Sequence, residues 1–100
     1  MKTRFREEGK EFVMEFEGRL DTAAAPQTEK DVEVLKDCMG HDIVLDCTKL
    51  EYTSSSGLRI FLGIKKNAQA KGSRVFITGL GEELQKVFAM TGFTNLFEYK

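Results

Sequence analysis

The sequence predicts an α/β fold, a single domain over residues 1–100 with a mixed sheet of about five strands and three to four helices. Three observations predict it. Short runs rich in β-branched and aromatic residues alternate with longer stretches whose apolar residues recur at helical spacing. The run Ile43-Val44-Leu45 is continuously apolar, as suits a central strand covered on both faces. A helix-length segment separates it from Val75-Phe76-Ile77, which implies a right-handed parallel crossover.

Taken in order, Phe5 to Glu7 and Phe12 to Glu17 flank Glu8-Gly9-Lys10-Glu11, and Phe12, Met14 and Phe16 alternate with Val13, Glu15 and Glu17. That pattern predicts a hairpin with one buried face. Gly18-Arg19-Leu20-Asp21-Thr22 breaks the alternation and leads to Pro26, suited to a first helical turn. A helix is expected from Pro26 to Met39, with Thr28, Val32, Leu35 and Met39 on its inner face and Gly40 as its stop. Asp42 to Cys47 is the central strand, followed by a short loop. A second helix is expected from Ser55 to Ala70, with Leu58, Phe61, Leu62, Ile64 and Ala68 inward. Arg74 to Thr78 forms the next strand. Gly79-Leu80-Gly81 opens a third helix carrying Leu84, Val87 and Phe88, closed by Thr91-Gly92. Phe93 to Tyr99 fits a short edge strand or a packed tail.

Composition narrows the function. The 100 residues are 41% hydrophobic and 31% charged, and 15 basic against 16 acidic residues give a net charge of -1. Nothing in that balance favours a nucleic-acid backbone, so no direct nucleic-acid contact is expected. No apolar run approaches the ~20 residues that span a bilayer, and the charged stretch Met1 to Glu8 lacks a signal core. The expectation is a cytoplasmic protein without membrane insertion. Cys38 and Cys47 form no CxxC motif, and His41 is the only histidine. No metal site and no cofactor are expected, and both thiols read as reduced, small apolar residues, Cys38 on a helix and Cys47 at a strand end.

The stretch most loaded with chemistry is Thr53-Ser54-Ser55-Ser56-Gly57-Leu58-Arg59, where a strand gives way to a helix. Hydroxyl residues cap a helix start by accepting bonds from its free N–H groups, and the helix dipole there favours negative charge. The run reads either as a plain cap followed by a close-packing glycine or as a place where a phosphate is welcome. A hydrolase elbow is excluded by the missing G-x-S-x-G pattern, and His41 precedes the strand at whose far end the serines lie. The Gly79-Leu80-Gly81 turn is followed by Glu82-Glu83, which would repel phosphate. Asp21 and Asp46 suit polar capping or a binding rim as well as chemistry, and no catalytic residue is assigned.

Five segments in this order and spacing resemble a known family: Gly18-Arg19-Leu20-Asp21-Thr22, Ile43 to Cys47, Leu50 to Leu58, Val75 to Leu80, and Val87 to Phe93. Together they are similar to a STAS domain of the bacterial anti-sigma factor antagonists. The resemblance implies a partner-switching protein. It would bind an anti-sigma factor that is also a serine kinase and so free a sigma factor. Phosphorylation at the start of the second helix would end the binding, and a PP2C-type phosphatase would restore it. The family motif D-S-S-G falls on Ser54-Ser55-Ser56-Gly57, making Ser55 the phosphoacceptor ahead of Ser54 and Ser56. Ser54 stands where the family has aspartate, which removes a fixed negative charge beside the acceptor. By the same resemblance Asp21, Thr22, Ser54, Ser56, Gly57 and Arg59 belong to the partner-binding surface, of a monomer or weak dimer. Arg59 reads equally as a solvated helix charge. The runner-up is a constitutive STAS subunit of an ABC lipid or anion transporter complex. A small-molecule sensor using the helix start as an anion site is a third class.

Overall fold

The computed structural model describes residues 1–100. In chain order it contains β1 (Lys2–Glu8), β2 (Glu11–Leu20), α1 (Ala25–Asp31), a 3-10 segment (Val32–Lys36), β3 (Asp42–Thr53), α2 (Ser55–Ala70), β4 (Val75–Thr78), α3 (Glu82–Met90), a second 3-10 turn (Phe93–Asn95) and β5 (Glu98–Tyr99). The mixed five-stranded sheet has the order β1-β2-β3-β4-β5, with β1 antiparallel to β2 and the other pairs parallel. The hairpin turns at Gly9, whose φ of +59° only glycine adopts readily.

Each parallel strand is added on the same side of the last, so crossovers of one hand lay every helix on one face. Phe12, Met14, Phe16, Ile43, Leu45, Cys47, Val75 and Ile77 point to that face, where Leu58, Phe61, Ile64, Leu84 and Phe88 of the helices meet them in one core. Phe61 sits at its centre, edge-on to Phe16 with ring centroids 5.2 Å apart. The other face carries no helix, contrary to the expectation that the central strand is covered on both sides. Val13, Val44 and Phe76 form its row, and Arg74 and Lys100 lie over the Phe76 ring. Charged side chains paired as Arg6–Glu15, Arg74–Glu98 and Lys100–Glu11 shield this layer.

Both hairpin strands are longer than expected, β1 beginning at Lys2 and β2 running to Leu20, and two further boundaries differ. The first helix does not reach Met39. It tightens at Val32 into a 3-10 segment, and the buried residues then fall at Val32, Leu35 and Cys38, a spacing of three. Cys38, placed on a helix by the sequence reading, lies in the loop beyond it, and Met39 is exposed. The central strand does not end at Cys47 but continues to Thr53, paired with the end of β2. The register slips twice: Glu15 faces Asp46 but Glu17 faces Lys49, and Gly18 faces Leu50 but Arg19 faces Tyr52. Each slip inserts one extra residue into β3, so its buried positions run Cys47, Leu50, Thr53 instead of alternating. That period of three reads as a loop.

Both cysteines are free and buried. Burial, aided by the charge of Asp46, pushes the Cys47 thiol up to about 12 from its ordinary 9.0. Below about pH 9 the thiol is protonated in folded and unfolded chains alike. Above it the unfolded chain loses the proton and the folded chain keeps it, so stability is expected to fall as pH rises from about 9 towards 12. At neutral pH a thiol reagent is expected to label neither cysteine until denaturant unfolds the chain; stoichiometric labelling of native protein would contradict the packing.

Candidate functional site

The second half of β3 and the end of β2 form a two-stranded arm that leads into α2. Asp46 sets its geometry: its Oδ1 accepts bonds from the Thr48 amide at 3.0 Å and the Thr48 hydroxyl at 2.7 Å, satisfying the first slip. At the tip, Leu20 faces Thr53, and the Ser54 amide donates to the Leu20 carbonyl at 2.9 Å. The GRLD stretch and the serine run, far apart in sequence, are thereby joined.

The three serines have different surroundings. Ser54 is the N-cap of α2, with extended backbone, and its Oγ accepts from the Gly57 amide at 3.3 Å. Ser55 follows as the first helical residue, exposed and outside that cap bond. Ser56 is half-buried, and Gly57 is buried. A Cβ on Gly57 would lie 2.3 Å from Thr53 Oγ1 and 2.7 Å from Leu20 Cγ, so the helix can approach the arm only with glycine there. No acidic residue stands in the first turn of this 16-residue helix, which leaves its positive end uncompensated. Ser54→Ala is expected to cost about 0.5–1 kcal/mol, since the cap bond is long, while Ser55→Ala leaves the melting temperature within a degree or two. Thermal unfolding of the two variants checks this; equal losses would contradict the assigned cap.

Asp21 lies beside this tip, half-buried. Its Oδ1 accepts from the Ala24 amide at 2.9 Å, so it caps the turn leading into α1. Thr22 is exposed next to it, and Arg59 is exposed one turn into α2. The sequence reading missed a pair on the outer side of the arm: the Arg19 guanidinium lies 4.4 Å from the centroid of the Tyr52 ring, with both residues exposed. Their opposition follows from the second register slip, which spacing alone does not reveal. His41 is stacked on Phe12 and bonded to Glu7 at 2.9 Å, with the whole length of β3 between it and the serines.

The strand order contains no reversal, so the carboxyl edge lacks the crevice in which open α/β sheets hold small ligands. The two principal cavities are lined elsewhere, between α1 and α2 and between β4 and α3, and neither includes Ser54 to Gly57. The exposed hydroxyls of Thr22 and Ser55 therefore lie outside both cavities. No cluster of His, Cys, Asp or Glu is grouped to hold a metal ion, and no helix is long and apolar enough to cross a membrane.

The STAS-domain family model matches residues 2–100. The chain belongs to the STAS family. Among curated proteins, the anti-sigma-B factor antagonist of Listeria monocytogenes is 30% identical over 83 residues, which cover 83% of this chain and 73% of that one. This STAS domain therefore stands with the anti-sigma factor antagonists. Among solved structures, an anti-sigma factor antagonist from Mycobacterium paratuberculosis superposes with a TM-score of 0.82 at 20% identity, covering 98% of this chain and 83% of that chain. The phosphorylated form of SpoIIAA, a Bacillus cell fate determinant, gives 0.74 at 19% identity over 99% of this chain and 91% of its own. At those identities the structural likeness establishes the shared fold of the STAS domain.

Proposed function

We propose that this STAS domain binds an anti-sigma factor that is also a serine kinase, thereby freeing a sigma factor, and that phosphorylation of Ser55 ends the binding. A PP2C-type phosphatase reverses the modification, and the exchange takes place in the cytoplasm. The observation that carries the reading is the division of labour among the serines: Ser54 is spent on the cap while Ser55 offers an exposed hydroxyl at the helix start. A phosphate of about -1.5 to -2 charge is accommodated there by the helix dipole, so the fold survives. In a partner interface the same charge is desolvated or repelled. Modification thus acts on affinity.

Thr22 and Arg59 are exposed and Asp21, Ser54 and Ser56 half-buried, so these five are available to the partner surface. Gly57, expected there from the resemblance, is buried against Leu20 and Thr53 and acts by letting the helix start approach the arm, while Arg19 and Tyr52 are exposed on the arm itself. The kinship with the Listeria antagonist supports the partner class. Reconstitution tests it. Added to a purified complex of anti-sigma factor and sigma factor, the unphosphorylated chain is expected to displace the sigma factor on gel filtration. A complex that stays intact at excess chain contradicts the proposal.

A further inference from the structure

Eight of the nine glycines have a visible reason to be glycine. Six adopt positive φ, Gly57 is crowded by Leu20 and Thr53, and Gly81 is the N-cap of α3. Gly63 has none. It lies in the middle of α2, where glycine is among the poorest helix formers, its φ is ordinary, and a Cβ placed on it would meet nothing within 4 Å. The fold of the isolated chain would therefore be better served by alanine at this position.

Gly63 opens onto a groove of about 230 Å³ between α2 and the α1 to 3-10 segment. Val32, Ile60 and Ile64 supply apolar lining, and the Asn67 amide bonds the Lys36 carbonyl at 3.1 Å to close the far end. Glu29, Glu33 and, at the far end, Lys36 stand on the α1 side and Arg59 on the α2 side, and none of the four is in an ion pair. Arg59 is also the residue through which the Ser55 surface passes into the groove. A backbone notch, an apolar floor and unpaired rim charges of opposite sign form one continuous strip with the helix start.

We propose that an amphipathic helix of the anti-sigma factor lies along this groove, its backbone brought close by Gly63, with a basic side chain facing Glu29 and Glu33 and an acidic one facing Arg59. The inference rests on the partner reading above and extends the interface from the tip of the arm along α2.

The test compares wild type, Gly63→Ala, Glu33→Arg and Ser55→Asp for calorimetric affinity toward the purified anti-sigma factor kinase that phosphorylates the chain, together with thermal midpoints and oligomeric state. Gly63→Ala is expected to raise the melting temperature by a few degrees and to weaken binding about tenfold or more. Glu33→Arg is expected to weaken it several-fold. Opposite signs for stability and affinity set a docking role apart from a folding one. If Gly63→Ala binds as wild type while Ser55→Asp does not bind, the groove assignment falls and the switch stands. If wild type does not bind the kinase, both fall. If Gly63→Ala instead dissolves a dimer of the chain, the occupant is a second copy and the assignment to the anti-sigma factor is overturned.

Discussion

Ser55→Asp is expected to weaken binding to the anti-sigma factor by about 100-fold or more while the melting temperature stays within about two degrees of wild type. The two halves have one cause. At the first position of α2 a negative charge meets uncompensated amides and the positive helix end, which offset its cost in the free protein. In the complex the same charge must be stripped of water or set against the partner's own groups, a penalty of several kcal/mol. Ser55→Ala removes the hydroxyl without adding charge and is expected to bind as wild type. Calorimetry with the purified partner and thermal unfolding check the pair. A Ser55→Asp variant that unfolds, or that binds as wild type, would sink the argument.

Gly57→Ala is expected to destabilise the fold by about 3 kcal/mol, lowering the melting temperature by more than about 10 °C. The added Cβ falls 2.3 Å from Thr53 Oγ1 and within 2.9 Å of two Leu20 carbons. Leu20 is fully buried and Thr53 nearly so, and neither can retreat. The helix start must lift off the arm, which also breaks the Ser54 cap and parts Asp21 from the acceptor. The same substitution six residues later, at Gly63, is expected to stabilise. A thermal melt of Gly57→Ala matching wild type would show that the arm and helix are not packed as described.

The sequence carries the mixed sheet, its opening hairpin, the parallel crossover from β3 to β4 and the helix holding the serines because those features rest on apolar patterning over many residues. Ser55 to Ala70 is helical as expected, and Phe12, Met14 and Phe16 all face the core. What it hides is local. The slips in β3 turn alternation into a period of three, so Thr48 to Thr53 looks like a loop and the Arg19–Tyr52 contact cannot be anticipated. The tightening after Asp31 exchanges Met39 for Cys38 at the core. The bare outer face of β3 follows from the direction in which strands are added, which a short apolar run does not record. At the site, the residue types are plain in the chain, but the division between Ser54 as cap and Ser55 as free hydroxyl appears only with the backbone geometry.

The most direct measurement is site-resolved phosphopeptide mapping after incubation with the partner kinase and ATP. Trypsin releases Leu50 to Arg59, which holds all three serines, and fragmentation separates them. The account predicts a single phosphate on Ser55, and none on the peptide from Ser55→Ala. A phosphate on Ser54 or Ser56 of the wild-type peptide, or an unmodified peptide at full coverage with a kinase active on a control substrate, would contradict it.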